Sequence, residues 1–486
     1  MRPGIQFLDQ STADQIIREG FALLEDPGIL VENRAALDLL EAADARVNRT
    51  TQIVRIPEEL ARQALQTCPS TFQLFDLHGN PAVHYGGSAV HFDPGSAALE
   101  VLDSRTQRRR TPVTEDLIRL VKLVEGLPQL DAQSTAMVSG DVPEEIGDLY
   151  RLYLALNYMS KPIVTGAFRV DTWAVMLDLL TTAAGGLKQL QQKPLAVFDV
   201  CPSPPLKWSD LTCQNLIDCA RHLVPAELVS MPLTGATAPV TLAGAVVQHT
   251  AECLSGVTIS QLARPGAPIV WGGSPSAFDM RQGTTPMGAV GTWMIDCAYA
   301  EIGQALDLPT HAYLGMSDAK VVDAQAGLES AGGALLGALA GINMISGAGM
   351  LAFENCQSLE KLVLDAEFIG MVKHLIQGIQ IRDQPIAQEL IAEVGHGSGF
   401  ITHDHTYRWF REELYLPSDL IDRHPPEIWE EKGSLTALDR AQNRVEDLVS
   451  SWESSPLTEE LRKELREITA AAAASFGMDR LPELPN

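Results

Sequence analysis

The clearest structural pattern in the chain lies at residues 310–354, which read THAYLGMSDAKVVDAQAGLESAGGALLGALAGINMISGAGMLAFE. A short apolar run at residues 312–314 breaks at a glycine and passes through a polar turn at Asp318 into a segment rich in Ala and Leu. A second short apolar run follows at residues 342–345. This order predicts a βαβ unit of a parallel sheet. Its polar residues fall where the first strand ends, which is the edge at which α/β proteins carry their sites.

The same alternation of strand and helix patterns extends over much of the chain. Eight apolar runs, each followed by a helical pattern, are predicted as strands at residues 89–93, 132–137, 163–168, 195–200, 228–231, 269–271, 312–314 and 342–345. Eight βα units in about 290 residues match the length of one (β/α)8 TIM barrel. A doubly wound α/β sheet is the alternative, but the glycine-rich phosphate loop expected after its first strand is missing.

The chain divides into three predicted parts. Residues 1–85 mix helical and strand patterns and are expected to form an N-terminal α+β cap, while residues 86–380 form the TIM barrel. Residues 381–486 are a C-terminal helical extension. This extension contains GHGSGFITHDHTYRWFREELYLP at residues 395–417, a run too rich in His and aromatic residues for a plain linker. We expect it to pack on the barrel.

Composition excludes several classes of protein. A net charge of −26, from 62 acidic and 36 basic residues, argues against a nucleic-acid partner. The seven cysteines are scattered, without a CxxC pair, so neither a disulfide framework nor a zinc ribbon is predicted. No apolar run is long enough for a membrane span, and the start of the chain lacks the apolar core of a signal peptide. We therefore expect a cytoplasmic protein, and the sequence leaves a homo-oligomer open.

Aromatic and acidic residues gather at the predicted strand ends. The chain has no GxSxG elbow, HExxH motif or Walker loop, and no His and carboxylate spacing suited to a metal. Aromatic faces bind ammonium groups through cation–π attraction, and acids supply a compensating field, so the pattern favours a cationic ligand. The candidate substrate-binding residues are His91, Asp93, Phe168, Asp199, Trp271, Tyr313, Asp318, Gln325, Glu329, Gly347, Phe353 and Glu354.

Structural roles for these residues stay open. Rings at strand ends also fill the interior layers of a barrel. The acids Asp199, Asp318 and Glu354 also suit the first turns of helices, where carboxylates meet the positive end of the helix dipole. Gln325 and Glu329, four residues apart on one helix face, form either a surface pair or a wall of the site.

Four stretches of the sequence resemble the trimethylamine methyltransferase family, the corrinoid-dependent enzymes that demethylate methylated amines. They are GMSDAKVVDAQAGLES at residues 315–330, ALAGINMISGAGML at 338–351, SKPIVTGAF at 160–168, and HTYRWFREELYLP at 405–417 together with Trp429. The similarity runs from about Gly28 to Asp447. It implies a TIM barrel whose mouth holds the substrate, and a partner protein that carries the corrinoid (cobalamin) and docks over that mouth.

One departure from the family bears on the substrate. Trimethylamine-specific members contain pyrrolysine, whereas this chain consists of ordinary amino acids. The resemblance therefore favours the branch that acts on glycine betaine and related quaternary amines. A quaternary nitrogen is already cationic, so its neutral amine leaves without a general acid. A betaine carboxylate would need a donor, for which His405, Arg411 or the backbone amides of residues 347–349 are the candidates.

Two other functions remain possible on the sequence. One is a non-catalytic protein that binds a quaternary amine or a corrinoid protein, because the same aromatic funnel would serve it. The other is a TIM-barrel lyase that uses Lys320 as a Schiff-base amine.

Overall fold

The computed structural model describes residues 2–397 and 399–484, and shows a mixed α/β fold with parallel sheets. The strands in the described residues are β1 (Ile29–Val31), β2 (Arg46–Asn48), β3 (Ile53–Arg55), β4 (Phe72–Phe75), β5 (Pro81–Tyr85), β6 (His91–Pro94), β7 (Glu100–Leu102), β8 (Arg109–Arg110), β9 (Gln133–Ser134), β10 (Ile163–Thr165), β11 (Ala196–Val200), β12 (Lys207–Trp208), β13 (Ala226–Ser230), β14 (Ile269–Gly273), β15 (His311–Tyr313), β16 (Met344–Ala348), β17 (Met350–Leu351) and β18 (Cys356–Gln357).

The α-helices in the same described ranges are α1 (Gln10–Glu25), α2 (Arg34–Ala42), α3 (Glu58–Thr67), α4 (Thr114–Glu125), α5 (Gly147–Tyr158), α6 (Val170–Ala183), α7 (Leu187–Gln192), α8 (Asp210–His222), α9 (Leu242–Ala263), α10 (Val290–Ala305), α11 (Ala324–Leu339), α12 (Leu359–Leu375), α13 (Gln388–Val394), α14 (Asp404–Glu413), α15 (Pro426–Glu431), α16 (Ala437–Ser450) and α17 (Glu459–Ser475). A 3₁₀ turn at Glu144–Ile146 leads into α5.

Two parallel sheets form the centre of the molecule. The first has five strands in the order β14-β13-β11-β10-β9, and the second has three in the order β15-β16-β6. These eight strands overlap the eight predicted runs, so the predicted α/β alternation is confirmed. Every residue of β13, β14 and β16 is buried, as expected of parallel strands covered on both faces.

Hydrogen bonds join the two sheets at both of their edges. On one side, Trp271 of β14 bridges Thr310, just before β15, in parallel register. On the other, the Asp131 N–H donates to the Phe92 carbonyl of β6 over 2.8 Å, and Ala98 bridges Met137 after β9. Closure of the eight strands into one barrel stays a prediction.

The N-terminal residues join the central body through a sheet and a helix. β1 pairs in parallel with β12, which follows β11, and Trp208 of β12 donates to Ser255 Oγ on α9. Helix α9 is buried around most of its circumference because α1, α3 and α10 cover it, which explains its lack of a polar face.

The C-terminal helices pack on the outer helices. α16 lies against α4 and α12, and α17 lies against α5 and α6. Helix α14 and the residues that follow it contact the C-terminal half of α12: the Glu413 carbonyl lies 3.2 Å from His374 Nε2, and Tyr415 Oη donates to the Glu367 carboxylate. Tyr415 also approaches Gly370 near Gln129, which precedes β9. This segment therefore lies toward the amino ends of the parallel strands.

Candidate functional site

A cavity of about 400 Å³ lies at the carboxyl ends of the parallel strands. Residues that follow or end β6, β10, β11, β13, β14 and β15 contribute to its wall, together with side chains from α5 and α8 and from the turn after β17. The lining residues are Ser96, Ala97, Arg151, Gly166, Ala167, Phe168, Asp199, Val200, Cys201, Leu211, Thr212, Asn215, Val229, Met231, Ser274, Tyr313 and Glu354. Phe168 and Met231 are 41% and 37% exposed, so the cavity reaches the surface at this edge.

Asp199, at the end of β11, is one of two carboxyl groups in the wall. Tyr313 Oη donates to its Oδ2 over 3.1 Å, while Oδ1 is enclosed and has no hydrogen-bond partner among the described residues. Burial raises the pKa of Asp199 to about 8, and the nearby Glu227 adds to the rise. The carboxyl group is therefore mainly protonated at neutral pH, and a bound cation would favour its ionised form.

Glu354 is the second carboxyl group, and a strained turn presents it. Ala352, Phe353 and Glu354 have φ angles of 52°, 62° and 67°, a left-handed conformation that non-glycine residues rarely adopt. The Ser96 N–H donates to Glu354 Oε1 over 3.3 Å. Burial raises the pKa of Glu354 to about 8. Burial thus raises the pKa of both acids of the cavity above neutrality.

Arg151 of α5 is the basic residue among the described lining residues, and it is 3% exposed. Its Nη1 donates to the Thr135 carbonyl over 2.8 Å, and its Nη2 donates to the Gly166 carbonyl over 3.1 Å. The guanidinium carbon lies 4.4 Å from the centre of the Phe168 ring. Burial lowers the pKa of Arg151 to about 10, which leaves it charged at neutral pH.

A buried polar network lies within the two sheets. His311 Nε2 is 2.7 Å from Ser346 Oγ, and Ser346 donates in turn to Asp93. His311 Nδ1 faces the carboxyl group of Glu227. Burial lowers the pKa of His311 to about 4 and raises the pKa values of Glu227 and Asp93 well above their usual range. A neutral histidine that donates from Nε2 accepts at Nδ1, so a protonated Glu227 completes the network.

The predicted site residues separate into groups. Phe168, Asp199, Tyr313 and Glu354 line the cavity together. Asp93 belongs to the buried network.

Trp271 lies in the core rather than in the cavity wall. It is fully buried, and its Nε1 donates to the Tyr299 carbonyl over 3.0 Å. Glycine at position 303 leaves room for the indole, because a Cβ there would lie 2.7 Å from Trp271 Cδ1.

Asp318 and its neighbours hold the loop between β15 and α11. The N–H groups of Met287 and Gly288 each donate to the Asp318 carboxylate over 2.9 Å. Glu329 accepts from the Asp318 N–H, and Gln325 donates to Glu329. Burial raises the pKa of Asp318 to about 6, and the two backbone donors oppose that rise. These contacts position a loop and lie outside the cavity wall.

Gly347 and Phe353 also lie outside the cavity. Gly347 has a φ of 121° and packs against Met316, where a Cβ would come within 3.0 Å. The Phe353 ring lies under Lys320 Nζ at 4.0 Å in a separate surface depression. Lys320 is therefore not part of the cavity, which removes the support for a Schiff-base site there.

His91, His405 and Arg411 lie toward the amino ends of the strands. His91 Nδ1 is 3.3 Å from Asp131, which also pairs with Lys373 near the end of α12. His405 pairs with Asp383, and Arg411 lies in the last turn of α14. These residues are on the edge opposite the cavity.

Arg151, Glu227 and His311 were not among the sequence candidates. One signal for Arg151 exists in the sequence, because it is a charged residue inside the apolar run LYRLYLALNY at residues 149–158. Such a residue is buried only when it is paired or hydrogen-bonded, and Arg151 donates to two backbone carbonyls. Glu227 and His311 have no comparable local signal.

No group of three His, Cys, Asp or Glu side chains that could hold a metal ion occurs within the described ranges. Within the same ranges, no helix has the length and apolar character to span a membrane.

Comparison with known proteins relates the whole chain to one family. A profile of the family described as trimethylamine methyltransferase (MTTB) matches residues 1–477. The chain is 30% identical to the trimethylamine methyltransferase MttB of Desulfitobacterium hafniense (strain DSM 10664 / DCB-2), over 94% of this chain and 92% of that protein. It is 32% identical to MttB of Methanosarcina barkeri, over 96% of each. A glycine betaine methyltransferase of D. hafniense (strain Y51) is 26% identical over 98% of each chain.

A solved structure shares the fold. The monomethylamine methyltransferase MtmB of M. barkeri superposes with a TM-score of 0.55 at 14% identity, over 91% of this chain and 89% of that one. At this identity the likeness concerns the fold alone.

Proposed function

This chain belongs to the trimethylamine methyltransferase family, and from that premise we propose that it transfers a methyl group from a quaternary amine, such as glycine betaine, to the corrinoid of a partner protein. Its relatives are methyltransferases, and the enzyme class follows from them. The observation that carries the proposal for the substrate is the pair of half-buried carboxyl groups, Asp199 and Glu354, in one cavity with Tyr313 and Phe168.

We propose further that the eight parallel strands close into one (β/α)8 barrel spanning residues 86–380. The hydrogen bonds that join the two sheets on both sides support closure. Residues 1–85 and 381–486 would then pack around the barrel. The position of the cavity agrees with this arrangement, because active sites of TIM barrels lie at the carboxyl ends of the strands.

The cavity suits a permanent cation better than a neutral amine. A trimethylammonium group offers no N–H, so its recognition depends on ring faces and on charge. Asp199 and Glu354 supply that charge by releasing their protons when the cation enters. The absence of pyrrolysine and the glycine betaine methyltransferase among the relatives both favour this substrate class over trimethylamine.

The residues of the cavity have a limited chemical task. When the N–CH₃ bond breaks, its electron pair stays on nitrogen and a neutral tertiary amine leaves without a proton. The electron pair for the new bond to carbon comes from the cobalt(I) of the corrinoid, which is a substrate brought by the partner. Asp199, Glu354 and the rings hold the ammonium in place and keep water away from it, and such positioning lowers a barrier by several kcal/mol.

The high pKa values of the two acids also limit ground-state binding. The positive charge on nitrogen fades as the bond breaks, so an enzyme that binds the full cation too tightly raises its own barrier. Asp199 and Glu354 regain protons readily as the cation disappears, because burial favours their neutral forms. The cost of ionising Asp199 and Glu354 therefore limits the affinity of the site for the cation.

The exposed rim residues Phe168 and Met231 mark the side from which the methyl acceptor would approach. A protein-bound corrinoid should serve better than free cobalamin, because the docked surface aligns cobalt with the methyl carbon. Equal rates at equal concentrations of free and carried corrinoid would count against a docking partner.

The experiment is a methyl-transfer assay with pre-reduced cob(I)alamin, in which the methylcobalamin spectrum is followed with glycine betaine, tetramethylammonium and trimethylamine. We expect transfer from quaternary amines and none from trimethylamine. Asp199→Asn should abolish most of this activity. Asp296→Asn is the matched control, because Asp296 is a buried acid of α10 outside the cavity. Binding without transfer would indicate a non-catalytic binding protein, and transfer from trimethylamine alone would overturn the substrate assignment.

A further inference from the structure

The cavity carries charges of both signs. Asp199 and Glu354 provide the acidic part, and Arg151 provides a basic part that lies close enough to Asp199 for the two charges to interact. A simple tetraalkylammonium ion would interact favourably with the acids only. A zwitterionic amine would interact favourably with the acids through its ammonium group and with Arg151 through its carboxylate.

We propose that Arg151 binds the carboxylate of the substrate and thereby selects zwitterionic betaines over quaternary amines that lack an acid group. This inference rests on the proposed function, since it names the substrate class of the same cavity. Arg151 is a specificity-determining residue in this account and takes no part in bond breaking.

The hydrogen bonding of Arg151 leaves room for a ligand. A guanidinium has five N–H groups. Nη1 and Nη2 donate one hydrogen bond each, to the carbonyls of Thr135 and Gly166, so each of these two nitrogens keeps one N–H without an acceptor among the described residues. A planar fork with unused donors matches a carboxylate, which accepts two parallel hydrogen bonds.

The charge of Arg151 is also incompletely balanced. Asp148 and Asp199 act on it through space. Asp199 is mainly protonated at neutral pH before a cation enters, so it offsets little of the arginine charge. Arg151 forms no salt bridge with either acid among the described residues, so a substrate carboxylate in direct contact would be a closer counter-ion than Asp148 or Asp199.

The other candidate donors for the carboxylate are unsuitable. His405 and Arg411 lie at the opposite edge of the sheets. His405 pairs with Asp383, and Arg411 lies in the last turn of α14, which contacts α12. In the turn at residues 347–349, the Gly349 N–H already donates to Asp365 over 2.8 Å. Arg151 is the cation that the described cavity wall contains.

A structural role is the competing explanation, because Arg151 links the ends of β9 and β10 through the two carbonyls. The two roles give opposite results for a ligand that has a cation but no carboxylate. If Arg151 binds the carboxylate, its loss removes a like charge from the neighbourhood of the ammonium, and tetramethylammonium binds as well or better. If Arg151 only holds the strands, its loss weakens both ligands.

The test is calorimetric binding of glycine betaine and tetramethylammonium to the wild-type chain and to Arg151→Gln. We expect Arg151→Gln to weaken glycine betaine by roughly 10- to 100-fold, the range for hydrogen bonds to a charged group. Tetramethylammonium should bind unchanged or up to a few-fold tighter. Arg151→Lys keeps the charge without the planar fork and should give an intermediate affinity for glycine betaine.

Lys161→Gln is the matched control. Lys161 is also an enclosed cation that donates to backbone carbonyls, those of Val124, Leu127 and Leu130, but it lies outside the cavity. Its variant should lower stability without changing the ratio of the two affinities. If Arg151→Gln does not fold, the wild-type chain still decides, because it should bind glycine betaine at least about tenfold more tightly than glycine betaine methyl ester.

Each outcome has a distinct meaning. Parallel loss of both ligands in Arg151→Gln, or equal wild-type affinity for the acid and its ester, would overturn the role of Arg151 and leave the methyltransferase proposal standing. Selective loss of glycine betaine without any methyl transfer would uphold the Arg151 contact and refute the proposed reaction. A wild-type chain that binds neither ligand would refute both.

Discussion

Tyr313 donates a hydrogen bond to one oxygen of Asp199 over 3.1 Å, and the other oxygen has no hydrogen-bond partner among the described residues. One donor is too few to hold a buried carboxylate in its charged form, and the pKa of Asp199 accordingly rises to about 8. The hydroxyl of Tyr313 thus orients the acid without ionising it. This leaves the ionisation of Asp199 to the ligand.

The first prediction concerns the pH dependence of binding. Asp199 and Glu354, both with pKa values near 8, must release protons as a quaternary amine binds, so its affinity should rise with pH between 6 and 8. The limit is about tenfold per pH unit for each proton released. Burial opposes the ionisation of Asp199, while the hydrogen bond from Tyr313 and the charge of Arg151 favour it.

Calorimetry in two buffers of different ionisation enthalpy would count the released protons directly. Asp199→Asn should lower that count by about one. Binding that releases no protons at pH 7 would show that both acids are ionised before the ligand enters.

The second prediction concerns the chemical step. At saturating betaine, single-turnover methyl transfer should vary little between about pH 6 and 8, because the quaternary nitrogen cannot titrate and the leaving amine needs no proton. Pre-reduced cob(I)alamin keeps cobalt reduction out of the measurement. A bell-shaped profile with an inflection near neutrality would reveal an acid or base in the chemical step.

The third prediction separates the core from the rim of the cavity. Trp271→Ala removes a fully buried indole and should lower the free energy of unfolding by about 3–5 kcal/mol. Phe168→Ala, at an exposed rim position, should change it by less than about 1 kcal/mol but should weaken betaine binding. Denaturant unfolding and calorimetry together distinguish the two. A Trp271 variant of normal stability and reduced affinity would return Trp271 to the binding site.

The fourth prediction concerns Glu227. Its pKa is raised by burial in the folded chain and is near 4.5 in the unfolded chain, so above pH 4.5 the unfolded chain loses a proton that the folded chain keeps. This carboxyl group therefore contributes nothing below that pH and destabilises the fold increasingly as pH rises, by about 1.4 kcal/mol per unit. Glu227→Gln keeps a donor toward His311 and removes the titration.

The stability of Glu227→Gln relative to wild type should accordingly improve as pH rises from 5 to 7, measured by urea unfolding at each pH. Asp296→Asn tests a second buried acid whose pKa is raised by burial. A difference that does not depend on pH would mean that Glu227 is ionised in the folded chain.

Patterns in the sequence predict the α/β alternation and several residues of the cavity wall. Apolar runs, turn residues and helical periodicity are local signals, so the eight strands could be located to within a few residues. Asp199, Tyr313 and Glu354 were found because each stands at or after the end of a strand, and the carboxyl ends of parallel strands meet at one edge.

Which of the remaining candidates lie at that edge depends on how the helices and strands pack in three dimensions. Trp271 lies on a strand beside the cavity yet faces the core, because the helix α10 leaves a space at Gly303 that the indole fills. His405 and Arg411 follow α12 in the chain and lie at its far end. Arg151 enters the cavity from the middle of a buried helix, because its donors reach carbonyls of two strands. These placements depend on contacts between residues distant in sequence, which no local pattern of residues encodes.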